Sequence, residues 1–139
     1  MPLHSNYQPH VILSHRLELE SILAKVETRP CAGPFLKPVS RVYFPQYYEF
    51  ILWPIDLSTI REKNQKYEYK TADSFLAEFD LMKKNAIKFI GEQSLLSAEA
   101  KEIYEFVKST IEHNRDEFNQ MEKAVVFDKL AGKKKTNEK

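Results

Sequence analysis

Prolines at positions 30, 34, 38, 45 and 54 punctuate one stretch of this chain and limit what it can become. Proline lacks the backbone N–H, clashes with the carbonyl one turn back and pushes its predecessor out of the α region. No long regular helix can therefore cross residues 29–55. Yet the same stretch carries Phe35, Leu36, Val39, Val42, Tyr43, Phe44, Tyr47, Tyr48, Phe50, Ile51, Leu52 and Trp53. A solvated linker does not hold so much apolar surface, and an apolar-rich composition opposes disorder. Loops of this length inside a compact domain usually serve a function. The expectation is an ordered, aromatic-lined loop that covers something.

Helical periodicity frames the loop on both sides. From about Pro9 to Thr28, the residues Ile12, Leu19, Ile22, Leu23 and Val26 recur at helical spacing with charged residues mostly between them, which predicts one amphipathic helix. Asp56 is placed to cap a short helix reaching about Gln65, with Leu57 and Ile60 as its buried pair. Thr71 is the expected cap of a helix over Ala72–Phe89, where Phe75, Phe79, Met82, Ala86 and Phe89 form a single face. Gly91 is a fitting stop, because glycine accepts positive φ. Ser94 or Ser97 opens a long last helix whose stripe is Leu96, Ala100, Ile103, Val107, Ile111, Phe118 and Met121. Four amphipathic helices and one long loop predict an all-α bundle. The expected organisation is a flexible segment over 1–8, the bundle over 9–123, and a basic, disordered tail over 124–139.

Composition removes several function classes. The 21 basic and 20 acidic residues are interspersed and leave a net charge of +1, which offers no broad basic field for nucleic acid. The sole cysteine, Cys31, cannot form an internal disulfide and fits a reducing compartment. Met1–His10 lacks the pattern of a signal peptide, and no uncharged apolar run reaches the roughly 20 residues of a membrane span, so a soluble intracellular protein is expected. His4, His10, His15 and His113 lie scattered on polar segments, without the spacing of a metal site or of a partner for a nucleophile. Cys31 has no neighbouring histidine or base in sequence, and a plain thiol is expected. With Gly33, Gly91 and Gly132 as the only glycines, no phosphate-binding loop can be built. Glu20, Glu27 and Glu62 read as solvated helix faces, and Lys133–Lys135 as a solvated tail. Neither enzymatic activity, nor a cofactor, nor a metal is expected.

Three segments carry a family resemblance: PFLKPVSRVYFPQYYEFI at 34–51, PIDLSTI at 54–60 and FLAEFDLMKKNAIKF at 75–89. Together they resemble a bromodomain, over about residues 28–121. The resemblance implies a left-handed four-helix bundle of helices Z, A, B and C with a long ZA loop. It further implies binding of acetyl-lysine between the ZA loop and the BC loop. Acetylation removes the lysine charge and leaves an apolar stem ending in an amide. A reader then needs an apolar slot and a donor for the acetyl carbonyl. By the same resemblance the slot is formed by Pro34, Phe35, Val39, Val42, Phe44 and Phe89, Tyr47 holds a bridging water, and Leu95 is the gatekeeper.

The direct donor departs from the family pattern. Helix B of bromodomains typically ends N-A-x-x-Y-N, whereas this chain reads Asn85-Ala86-Ile87-Lys88-Phe89-Ile90. Ile90 stands where the anchoring asparagine is expected, and its side chain offers no hydrogen bond. Asn85, five positions earlier, is expected to tie helix B to the loop instead. The usual Trp-Pro-Phe shelf is Gly33-Pro34-Phe35, so one wall is missing. The implied function is a nuclear, non-catalytic reader of acylated lysine on histone tails or other nuclear proteins, weakened by Ile90. The competing expectation is a degenerate bromodomain serving as a scaffold for chromatin-complex subunits without acetyl-lysine binding. A monomer is expected, with neither membrane nor nucleic acid as its main partner.

Overall fold

The computed structural model describes residues 9–125. The expectations for 1–8 and for the tail over 126–139, Lys133–Lys135 included, lie outside the described residues. Helix α1 spans Pro9–Glu27, a 3₁₀ turn follows at Pro30–Phe35, and a single-turn helix α2 occupies Tyr47–Phe50. Then come α3 over Leu57–Gln65, α4 over Ala72–Ile90 and α5 over Leu95–His113. A further helical segment, α6, covers 115–125. No strand occurs among the described residues.

The helix starts follow the capping chemistry of the sequence. The Asp56 carboxylate accepts from the Thr59 N–H at the head of α3, Thr71 Oγ1 from Ser74 N–H at α4, and Ser94 Oγ from Ser97 N–H at α5. Each pairing satisfies one of the amide donors that a helix start leaves free. Gly91 ends α4 at φ 105°, ψ 158°, a conformation that favours glycine. Helix α3 ends differently. Tyr67 sits at φ 60°, while the Glu68 N–H reaches back to the Lys63 carbonyl at 3.1 Å. Such a left-handed terminus normally takes glycine or asparagine.

Helices α4 and α5 form the principal pair, and α1 packs against α3, α5 and the 3₁₀ turn. The stripes expected from periodicity meet in the core. Leu19, Leu23 and Val26 of α1 are fully buried, as are Leu57 and Ile60 of α3, Phe75 of α4, and Ile103, Val107 and Ile111 of α5. Phe79 and Phe118 join them.

Four expectations change. The last helix is interrupted at Asn114, whose N–H bonds back to Ile111 and Thr110 while its carbonyl accepts from the Phe118 N–H. Asparagine competes locally for backbone groups and favours helix ends over interiors. Ala124 and Val125 continue α6 rather than starting a tail. His15, read as one of four histidines scattered on polar segments, lies in an apolar setting. It is buried edge-on against Phe118, and its Nε2 lies 2.9 Å from the Glu122 carboxylate. Glu122 also accepts the N–H of Ala72 at 2.8 Å, so one carboxylate joins α1, α4 and α6.

Glu20 and Glu27 are likewise more than a solvated face. Arg61 of α3 forks onto both, with Nε 2.6 Å from Glu20 and Nη1 2.5 Å from Glu27. Buried Asn64 donates to the Arg16 carbonyl and to Glu20, completing a polar seam between α1 and α3.

Candidate functional site

The loop between α1 and α3 is held down at four points. Pro30 opens the 3₁₀ turn, which buries Cys31, Ala32 and Phe35. The Leu36 carbonyl accepts from the Ser58 N–H at 3.3 Å, fixing the end of that turn to the start of α3. The Tyr48 hydroxyl donates to the Val39 carbonyl at 2.5 Å. Asn85 of α4 donates its side-chain amide to the Trp53 carbonyl at 2.9 Å. That is the tie between helix and loop expected of it. A loop fastened at both ends and in the middle can keep a cavity open.

Such a cavity of about 40 Å³ lies between this loop, α4 and the start of α5. It has room for one or a few waters. Pro34, Phe35, Val39 and Tyr47 wall it from the loop side, with Lys37, Ile55 and Asp56; Met82 and Ala86 of α4 and Leu96 of α5 close it. Tyr47 packs edge-on against Phe89, ring centroids 4.9 Å apart, and against Tyr48 at 5.3 Å. Burial pushes the Tyr47 phenol above its ordinary range, with Tyr48 and Asp56 adding to the effect. The hydroxyl is thus a protonated donor at neutral pH. Among the described residues it has no hydrogen-bond partner of its own within the protein, whereas Asp56 is fully engaged. The Asp56 carboxylate accepts from the Thr59 N–H, from Thr59 Oγ1 at 2.5 Å and from the Ser58 hydroxyl.

The nine anticipated site residues divide. Pro34, Phe35, Val39 and Tyr47 stand on the cavity wall. Phe89 stands behind it, as the ring that braces Tyr47. Val42, Phe44, Ile90 and Leu95 are outside the wall, with exposures of 84%, 52%, 52% and 76%. Local geometry accounts for this. Ser40 accepts from the Phe44 N–H through its carbonyl and from the Tyr43 N–H through its hydroxyl, closing a turn that sends the side chains of 42–44 outward. Ile90 is the last residue of α4. Leu95 is the first residue of α5, and one step of about 100° around the helix brings Leu96, not Leu95, to the cavity. Leu96, Met82 and Ala86 already lie on the apolar stripes of their helices; periodicity marks them as inward-facing without separating core from cavity. Lys37, Ile55 and Asp56 carry no such signal.

The arrangement suits recognition better than chemistry. Burial raises the Cys31 thiol above its ordinary range, and the neighbouring Glu102 raises it further, so it stays protonated. A thiol in that state is a poor nucleophile. No group of His, Cys, Asp and Glu among the described residues could hold a metal ion. No described helix is long and apolar enough to cross a membrane.

Known proteins share both the sequence and the shape. Residues 19–102 match the bromodomain family. The chain is 30% identical over 107 residues to the Caenorhabditis elegans transcription initiation factor TFIID subunit 1, covering 77% of this chain and 6% of that protein. It is 39% identical over 70 residues to the mouse bromodomain adjacent to zinc finger domain protein 1A, covering 50% of this chain and 4% of that one. The chain therefore spans only a small part of these relatives' length. The structure of the bromodomain from human BAZ1A superposes with a TM-score of 0.63 at 29% identity, over 68% of this chain and 89% of that one. With the helix order, the fastened loop and the cavity beneath it all in place, the chain belongs to the bromodomain family, as an all-α left-handed helical bundle.

Proposed function

We propose that this domain is a nuclear, non-catalytic reader of acylated lysine on histone or other nuclear proteins, and that it binds weakly. The observation that carries the reading is the narrow apolar cavity under the loop, with the free hydroxyl of Tyr47 on its wall. An acylated lysine has lost its charge, so its acyl tip can enter such a slot, with the apolar stem at the mouth, without an ionic desolvation cost. Its carbonyl still needs a donor, and Tyr47 is the candidate, through a bridging water. Ile90 supplies none. A buried carbonyl left without its direct donor costs about 1–3 kcal/mol, roughly 5- to 150-fold in affinity.

The test is a heteronuclear NMR titration with mono- and diacetylated histone-tail peptides, beside an Ile90→Asn variant. The expected result is weak binding by the native domain, with shifts at Val39, Tyr47 and Phe89 that vanish for the unmodified peptide. The asparagine variant should bind more tightly by roughly 5- to 150-fold. A response in the variant alone would favour the second reading, a scaffold for another chromatin-complex subunit. The exposed apolar residues around the loop support that alternative. It predicts partner binding that survives Tyr47→Phe and Phe35→Ala.

A further inference from the structure

Exposed apolar residues stand next in sequence to the residues that wall and brace the cavity. Val42, Tyr43 and Phe44 lie in the loop between the wall residues Val39 and Tyr47, and all three are exposed. Ile90 follows Phe89, the ring that braces Tyr47, and Leu95 precedes the wall residue Leu96; both are exposed as well. Single exposed hydrophobes need no explanation, but several gathered beside a cavity mark an interaction surface.

The charges beside that surface have a sign. Lys37 stands on the cavity wall. The Arg41 guanidinium lies 3.8 Å over the ring of Tyr48, the residue whose hydroxyl holds the Val39 carbonyl. Among the described residues neither cation is paired with a carboxylate, although the bundle pairs many of its other cations. The nearby carboxylates offer little to oppose them. Asp56 is buried and engaged by Ser58 and Thr59, Glu92 is paired with Lys101, and of the others nearby exposed Glu49 and half-buried Glu99 are the ones without an ion pair among the described residues.

We infer that the segment presenting the acylated lysine is acidic and hydrophobic, with Asp or Glu and aliphatic or aromatic residues flanking the modified side chain, rather than a Lys- and Arg-rich tail. The inference rests on the acyl-lysine reading of the cavity and narrows it to a partner class. Apolar flanking residues cover Val42, Phe44 and Leu95, and the Asp or Glu carboxylates of the same segment meet Lys37 and Arg41. A basic tail would set like charges together at the same two points, which suppresses binding as effectively as complementary charges favour it.

The experiment compares three labelled peptides by fluorescence anisotropy at low salt, using the full chain. One places acetyl-lysine among Glu, Asp, Phe and Leu, the second places it among Lys, Arg and Gly, and the third is the first without the acetyl group. The acidic acetylated peptide is expected to bind about tenfold more tightly than the basic one. A Lys37→Glu, Arg41→Glu variant, confirmed as folded by circular dichroism, should invert that order. Lys37→Glu alone, which leaves the Arg41–Tyr48 stack intact, should narrow the gap. Equal affinity for the two acetylated peptides, or a preference for the basic one, overturns the inference and leaves the acyl-lysine reading standing. Equal binding of the acidic peptide with and without its acetyl group overturns the acyl-lysine reading instead. Displacement of the acidic peptide by duplex DNA, steeply weakened by salt, would assign the two cations to phosphate contacts and overturn the inference.

Discussion

Cys31 and Gly91 show how far a single residue's environment sets its behaviour. The Cys31 thiol is buried beside Glu102, and both influences favour its neutral form. A group whose folded pKa is raised contributes stability below its unfolded pKa and loses it as pH rises through the folded value. Native Cys31 should therefore react slowly with a thiol reagent at mildly alkaline pH and at the rate of a free cysteine once denaturant is added; equal rates in both states would contradict its burial. Gly91 holds φ 105° with open space around its Cβ position, so Gly91→Ala meets no clash but does meet backbone strain. A loss of about 1–3 kcal/mol is expected in chemical denaturation.

Among the elements, the interior of α4 and the ties between helices matter most. Phe75 is fully buried, with Phe79 at 5.1 Å and Tyr69 at 5.5 Å between ring centroids. Phe75→Ala should cost about 3–5 kcal/mol, a large share of the roughly 5–15 kcal/mol that holds a domain folded, read as a lowered midpoint in chemical denaturation. Glu122 is a smaller but more informative target. Its carboxylate serves both His15 and the first N–H of α4. Glu122→Ala strands two polar groups and should cost about 1–3 kcal/mol, with the earliest rise in amide exchange at Ala72. Unchanged exchange and stability would instead make Glu122 an ordinary surface residue. On the loop side, Asn85→Ala removes the tie to Trp53 and should speed exchange in the loop more than it lowers global stability.

For the whole molecule, the single tryptophan offers a probe of function rather than of folding. Trp53 is 73% exposed in the native bundle. Its emission should shift little when the chain is unfolded, whereas far-ultraviolet circular dichroism reports the loss of the helices. A large blue-to-red shift on unfolding would show that Trp53 is covered in solution, as by a partner copy.

Much of the architecture was legible from local chemistry alone. Caps at Asp56 and Thr71, the stop at Gly91 and the stripe of α4 act through neighbours three or four residues away, so spacing displays them, while the choice of Ser94 over Ser97 came from the structure. The proline-punctuated aromatic loop announced a fastened cover for the same reason. Tertiary structure decided what depends on residues distant in sequence. The pairing of His15 with Glu122, the fork of Arg61 onto Glu20 and Glu27, and the choice of Leu96 over Leu95 at the cavity are fixed by how helices meet. It also decided that Val42, Phe44 and Ile90 face outward. An apolar residue reads the same in sequence whether it fills a core, lines a cavity or waits for a partner, and only packing tells these apart.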